Sequence, residues 1–435
     1  MAEVRAFRGW RYDVSKIGAL SQVVAPPYDV IGPELQHRLH EASPYNVIRL
    51  ELGQDEPPGS TSQEDKYQRA GRLLREWRRS GILVEEASPA LYAYHQVFQD
   101  PSGSERTRRG FLARVRLEPF GSGNIYPHEK TLSGPKADRL ALYRATGCNI
   151  SPVFGLYPDE AGKIQAVIET GLEGTPPLEA VDHLGVRHRL WPVTDSGIHT
   201  QVQGLLAELP VYIADGHHRY ETGLKYRDEL AAAGELSGHD DPANFTLMML
   251  VGMSDTGLEI QPTHRLIKGF PGVTSEQLIE RLNEAFDLSF EGEGHAGLMH
   301  AWEEIQLWGA QDMLGFGTVA DGRWLTARLR DEAVMAQLVP DHSRAWRGLG
   351  VAILQKLVLE KLFADLGTPE LEYVHRVDEV DQACASRRCD AACLVPAATM
   401  EDIRVIAGGG ETMPPKSTYF YPKLATGFVL NPLRG

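Results

Sequence analysis

The chain is poor in cysteine. Cys148, Cys384, Cys389 and Cys393 are the only four in 435 residues, which excludes the disulfide framework of a small secreted scaffold. The last three lie close together, but their spacings are not the paired C-x-x-C of a zinc site. They read as small buried or surface thiols, and no metal is assigned to them. Long apolar runs are also missing. The longest, such as 245–253, fall far short of the roughly 20 residues that a membrane-spanning helix needs, and residues 1–12 contain no apolar signal core. Positive charge is in deficit, with 44 Lys plus Arg against 59 Asp plus Glu and a formal net charge of −15. Coating of nucleic acid without sequence preference is therefore not expected. Internal repeats, low-complexity tracts, a Walker A loop and a protein-kinase signature are absent. A soluble protein of the cytoplasm, with no membrane partner, is the expectation.

What is present is ordinary globular composition, 42% hydrophobic and 24% charged, in a chain long enough for two or three domains at roughly 100–200 residues each. Two prolines force 25–30 into extended backbone. A helix is predicted over 33–40, a strand over 44–50, a polar loop over 54–65 and a helix over 66–80. Alternating apolar and polar residues over 91–99 and 110–118, joined by Asp100-Pro101-Ser102-Gly103, predict an antiparallel hairpin. Helix is predicted over 136–146 and 200–208, and strand over 152–157 and 186–193. Strands at 245–253 and 258–267 are predicted to pair with each other, ahead of a helix over 275–286. A hairpin turning at Asp321-Gly322 precedes one amphipathic helix over 345–366, and 418–433 is expected to add strands to an earlier sheet. The fold class is mixed α/β (α+β) with mixed sheets. The expected division is an N-terminal segment 1–85, a core 86–268 and a C-terminal region 269–435 that packs back on the core.

The segment 211–222 carries most of the chemistry. A short apolar strand over 211–214 runs into Asp215-Gly216, and a charged helix follows from His218. A glycine at such a strand end lets a ligand approach the backbone, while the helix start offers N–H groups and the positive end of its dipole to an anion. His217, His218 and Arg219 would add charge-assisted donors, and Arg binds phosphate bidentately. The alternative is structural: Asp215 caps the helix, and His217, His218 and Arg219 form a surface ionic cluster. Adjacent helical residues point in different directions, so His217 and His218 are poorly placed to chelate one ion.

Three further segments are candidates. In Tyr126-Pro127-His128-Glu129-Lys130-Thr131 a carboxylate is flanked by His and Lys, and Glu129 could serve as a general base, or the loop could be a solvated charged one. Lys136, Asp138 and Arg139, just beyond, read as a helix face. Thr263, His264 and Arg265 lie in an apolar strand, where polar groups must be paired or face a cavity. In 413–423, Lys416, Ser417 and Lys423 could reach a phosphate, or the prolines could simply stiffen a structural loop.

The order APPYDV at 25–30, PHEKT at 127–131, DRLALYRAT at 138–146, IADGHHRYET at 213–222, PTHR at 262–265 and MPPKSTYFYPKLATG at 413–427 resembles the bacterial "domain of unknown function 1015" family along almost the whole chain. No settled activity comes with that name. More distantly, the DGHHR loop is similar to the phosphate-binding loop of the ParB and sulfiredoxin-like fold, which includes the free-serine kinases. There a His-Glu pair precedes the loop and the Glu acts as base on the serine hydroxyl. The long stretch between Glu129 and Asp215 departs from those compact kinases and implies an insertion.

That resemblance implies a nucleotide-binding core with added N- and C-terminal elements. Glu129 would be the base, Asp215 a carboxylate for Mg²⁺ or for orienting the substrate, and Gly216, His217, His218 and Arg219 the contacts to ATP or ADP, with His128, His264, Arg265 and Lys416 in support. The expected activity is phosphoryl transfer to a small hydroxylated metabolite, free L-serine being the most specific acceptor. The rivals are a nucleotide-binding regulatory module with a protein partner, and a phosphatase on a small phosphorylated metabolite.

Overall fold

Alternation over 91–116 produces the pairing on which the first sheet is built. In the computed structural model, which describes residues 2–55, 64–130 and 133–434, strand Leu91–Gln99 pairs antiparallel with Glu105–Arg116. Asp100 closes the turn by accepting from the N–H groups of Ser102 and Ser104, and Gly103 takes the left-handed conformation there, with φ of 82°. Thr131 of the PHEKT segment and residues 56–63 of the 54–65 loop lie outside the described residues.

The chain divides into two units, 1–127 with 131–259 and 422–435, and 128–130 with 260–421. The sequence pattern places its divisions elsewhere, at 85/86 and 268/269. Residues before 86 are integral to the first unit, because Val4–Arg5 hydrogen-bonds to Glu105–Arg116.

The sheet of the first unit runs Ile125–Pro127, Val211–Asp215, Val153–Tyr157, Phe245–Gly252, Glu105–Arg116, Leu91–Gln99, Arg187–Val193, Leu178–Val181. Its pairings are mixed. Phe245–Gly252 is antiparallel to Glu105–Arg116 and parallel to Val153–Tyr157. It is buried from Phe245 through Val251, which is why it reads as a continuous apolar run. Ala93, Phe111, Val153, Ile213, Met248 and Leu250 belong to one core cluster. Helix His217–Ala232 is pinned to the segment that leaves strand Glu105–Arg116 by Tyr220, whose hydroxyl donates to the Glu118 carbonyl and accepts from the Glu118 N–H.

The sheet of the second unit runs Phe286–Glu293, Arg323–Leu329, Met313–Thr318, Ala391–Leu394, His264–Lys268, Glu370–Val374. Neighbouring strands in it pair antiparallel. Leu266, Leu298, Ile305, Trp324 and Leu394 form its core.

Several elements differ from expectation. Residues 44–50 form no strand; Ile48–Glu51 is a short helix. The Asn46 side chain accepts from the Ile48 N–H and donates to the Gln22 and Val24 carbonyls, so local side-chain bonding competes with extended pairing. Strands 245–253 and 258–267 do not pair together, because the chain passes from one unit to the other at 259/260 and His264–Lys268 joins the second sheet. Helix Ser275–Leu282 stops before Phe286, which opens a strand. The helix over 345–366 is broken into Arg344–Arg347, Gly350–Ala352 and a π-helical segment Ile353–Leu362, with Gly348 and Gly350 at the breaks. The C-terminal strands Tyr419–Tyr421 and Asn431–Pro432 enter separate two-stranded pairings and extend neither large sheet. Among the described residues, no helix is long and apolar enough to cross a membrane.

Candidate functional site

Strand Val211–Asp215 is buried through Ala214, and its register to Val153–Tyr157 shifts between Ile213 and Asp215. Such an irregularity re-aims the end of a strand. Gly216 follows with φ of 86° as the N-cap of helix His217–Ala232, and as a glycine it supplies no capping side chain of its own. A Cβ at position 216 would sit 3.0 Å from the Arg219 guanidinium. Both backbone and space therefore call for glycine.

The Asp215 carboxylate has a cation on each oxygen. Lys423 Nζ is 3.1 Å from Oδ1, and Arg219 Nη2 is 2.9 Å from Oδ2. Arg219 also donates to the Pro152 carbonyl. Burial pushes the Asp215 carboxyl up, but the charge of Lys423, then that of Arg219, outweighs burial and holds it well below the usual carboxylate range. Burial pulls Arg219 down, and the charge of Asp215, together with those of Asp29, Tyr28 and Glu51, more than restores it. His217 and Arg219 are buried, whereas Asp215, Gly216 and His218 are partly exposed. Solvent thus reaches the acid, the glycine and one imidazole, while Arg219 braces the turn from below.

Behind the loop lies a buried ionic network drawn from other motifs of the same unit. Arg139 pairs with Glu51 at 3.2 Å, and its guanidinium lies 4.1 Å from the centre of the Tyr28 ring. Glu51 also accepts from the Ser151 hydroxyl at 2.8 Å. After Asp215, the charges that act on Arg219 are those of Asp29, Tyr28 and Glu51. The APPYDV and DRLALYRAT segments therefore brace the DGHHR loop electrostatically. Arg139 lies on helix Ser133–Thr146, as expected, but on its buried side. Arg108, fully buried, donates to Gln96 and to the Pro422 carbonyl, and burial pulls it down to about 10. It anchors the backbone next to Lys423.

The remaining candidates gather in the second unit. The Glu129 carboxylate accepts from three consecutive backbone N–H groups: Lys416 at 3.1 Å, Ser417 at 3.0 Å and Thr418 at 3.0 Å. The Thr418 hydroxyl donates to it as well, at 3.1 Å. Lys416 holds φ of 61°, unusual for a residue with a side chain, and this turns the successive N–H groups toward one anion. His128 Nε2 is 2.7 Å from the Thr418 hydroxyl oxygen, and the His128 carbonyl accepts from the Met413 N–H at 2.7 Å. Arg265, its guanidinium 4.8 Å from the Tyr373 ring centre, donates to the Thr263 and Lys416 carbonyls. His264 is fully buried; Nδ1 accepts from the Val395 N–H at 3.3 Å, and among the described residues Nε2 has no hydrogen-bond partner. Burial, with the charges of His375 and Arg265, lowers it to about 3.

The candidates thus fall into two sets. Asp215, Gly216, His217, His218 and Arg219 lie in the first unit, and His128, Glu129, His264, Arg265 and Lys416 in the second. Lys416 and Lys423, close in sequence, belong to different sets because the chain changes unit at 421/422. Glu51 and Arg108 did not stand out in the sequence, since isolated polar residues carry no spacing signal, and Tyr28 stood out only as part of the extended APPYDV segment.

The family model described as "Protein of unknown function (DUF1015)" matches residues 4–352. The chain belongs to that family. No curated protein matches this DUF1015 member. Among solved structures it is similar to a free serine kinase variant in complex with AMP, at 13% identity and a TM-score of 0.35, covering 68% of this chain and 84% of that one. A conserved hypothetical protein from Pyrococcus furiosus is similar at 14% identity and a TM-score of 0.33, over 69% and 89% of the two chains. SbnI from Staphylococcus aureus, truncated at its C-terminus, is similar at 12% and 0.34, over 74% and 87%. At these values the likenesses carry no weight in the chemistry that follows.

Among the described residues, no group of three or more His, Cys, Asp or Glu side chains could hold a metal ion. Mg²⁺ often needs only one or two carboxylates besides phosphate oxygens, but both Asp215 oxygens already face cations. Asp215 does not fit a Mg²⁺ ligand as it stands, and no step is routed through the ion.

Proposed function

We propose that the Asp215–Arg219 loop of this DUF1015 protein binds the phosphates of ATP or ADP, and that the protein transfers a phosphoryl group to a small hydroxylated metabolite, with free L-serine the first acceptor to test. The observation that carries this reading is the helix N-terminus opening at left-handed Gly216, flanked by the paired cations of Asp215. A helix start favours an anion by its dipole and its N–H groups. Asp215 holds Lys423 and Arg219 in place rather than acting as an acid, because it stays ionised at neutral pH.

Phosphoryl transfer asks mainly for positioning and neutralisation of charge. The bond from the terminal phosphorus to its bridging oxygen breaks, a bond to the acceptor oxygen forms, and the hydroxyl proton passes to a base. Glu129 is the base in this reading. A second reading, nucleotide binding without turnover, is favoured by one observation: the Glu129 carboxylate is already held by three N–H groups and a hydroxyl.

Titration calorimetry of the full chain with ATP and with ADP tests the binding, and Lys423→Met should weaken it. Incubation with ATP or ADP and serine should yield O-phosphoserine, with Glu129→Gln abolishing the product and sparing the binding. Binding without product selects the second reading. Absence of binding heat for both nucleotides overturns the proposal.

A further inference from the structure

Cys384 and Cys389 take no part in the phosphate chemistry, yet the fold brings them together. Helix Val377–Ala385 ends in a tight wrap in which the N–H groups of Ser386, Arg387 and Arg388 bond to the carbonyls of Gln382, Cys384 and Ala383. The wrap requires φ of 54° at Arg387, a conformation in which glycine is the usual residue. It returns the chain so that the two Sγ atoms lie 4.0 Å apart. Cys389 is buried at 4% exposure, whereas Cys384 is half-buried and residues 385–388 are exposed. The other two cysteines, Cys148 and Cys393, are buried, and burial pushes both thiols up.

We propose that Cys384 and Cys389 form a reversible dithiol–disulfide pair that hydrogen peroxide oxidises. A disulfide bond is about 2.05 Å long, so bridging needs the sulfurs to close by about 2 Å, within reach of side-chain rotation and a small backbone adjustment. The hydrogen-bond contact with Cys384 lowers the Cys389 thiol from its ordinary value, against burial and with help from Arg388, while the same contact pushes Cys384 up. The charge of the pair therefore rests on Cys389, and the thiolate is the reactive form.

The Cys389 thiolate attacks one peroxide oxygen. The O–O bond breaks, and the departing hydroxide takes up a proton as water. The Cys384 sulfur then attacks the sulfenic sulfur of Cys389; the S–S bond forms, the S–O bond breaks, and hydroxide leaves with the Cys384 proton as a second water. Two thiols lose two electrons, and one peroxide is reduced to two waters. The bridge would tie the end of helix Val377–Ala385 to the chain entering strand Ala391–Leu394, within the core that contains Val380, Ala383 and Leu394.

The test uses the reduced full chain, treated with hydrogen peroxide, denatured, blocked with N-ethylmaleimide and mapped by mass spectrometry. The expected result is loss of two hydrogens, one linkage between the peptides of Cys384 and Cys389, maleimide on Cys148 and Cys393, and reversal by dithiothreitol. In Cys384→Ser, Cys389 should stop at the sulfenic acid and be captured by dimedone. Maleimide on all four cysteines after peroxide treatment, or oxidation of Cys389 to sulfinic acid in the wild-type chain without a bridge, would overturn the proposal. Should Cys384→Ser fail to fold, the wild-type mapping alone decides.

Discussion

The Lys423 ammonium lies 3.1 Å from Asp215 Oδ1, while Arg219 holds the other oxygen at 2.9 Å. A single carboxylate thus fixes two cations at the mouth of a strand–helix turn, one from the helix that follows it and one from the C-terminal segment. Replacing Lys423 by Met leaves a mostly buried charge with one partner fewer. A loss of about 1–3 kcal/mol is expected, in the range for an unsatisfied buried polar group, read from the urea midpoint. An unchanged midpoint would show that Asp215 does not depend on Lys423.

Gly216→Ala tests the turn itself. The left-handed backbone costs a side-chain-bearing residue roughly 1–2 kcal/mol, and the new Cβ would press on the Arg219 guanidinium at 3.0 Å. The variant should unfold at lower urea and bind ATP more weakly than wild type in calorimetry. Equal affinity in the two proteins would remove Gly216 from the anion site.

Glu129→Gln trades a two-oxygen acceptor for one oxygen and an amino group, setting donor against donor where three N–H groups now point. Hydrogen exchange at Lys416, Ser417 and Thr418 should accelerate, with about 1–3 kcal/mol lost. Protection unchanged at those three amides would deny the carboxylate its hold on the loop.

His264 should give the second unit an acid-sensitive core. Its folded-state pKa of about 3 lies below the ordinary histidine value of 6.5, so between these values the unfolded chain binds the extra proton. The stability from neutral His264 is full above about pH 6.5 and is lost as pH falls toward 3, with a slope of about 1.4 kcal/mol per pH unit. Urea melts at pH 7 and pH 4.5 should show a steeper loss in wild type than in His264→Leu. Parallel losses would assign the acid sensitivity to other groups.

Much of the local structure could be read in the sequence because it depends on neighbours in the chain. The hairpins at Gly103 and at Asp321-Gly322 followed from turn chemistry and alternation, and both formed. The 44–50 segment failed because Asn46 bonds its own surroundings. The 345–366 helix failed because two glycines interrupt an apolar pattern that spacing alone could not distinguish from a continuous helix. Partner choice was harder. Apolar alternation reports that a face is buried, not which sheet buries it, so the pairing assumed for 245–253 with 258–267 was wrong.

Asp-Gly at 215–216 ahead of a charged helix determined, by sequence alone, the strand, the turn and the helix start, since sterics at glycine and the helix's first turn are properties of a few adjacent residues. Tertiary structure decided which charges meet there. Lys423 reaches Asp215 from 208 positions away, whereas Lys416, though near Lys423 in the chain, belongs with Glu129 to the second unit and gives its N–H to that carboxylate. Such long-range pairings are set by how two sheets recruit their strands and bury their cores, and no spacing within the chain encodes them.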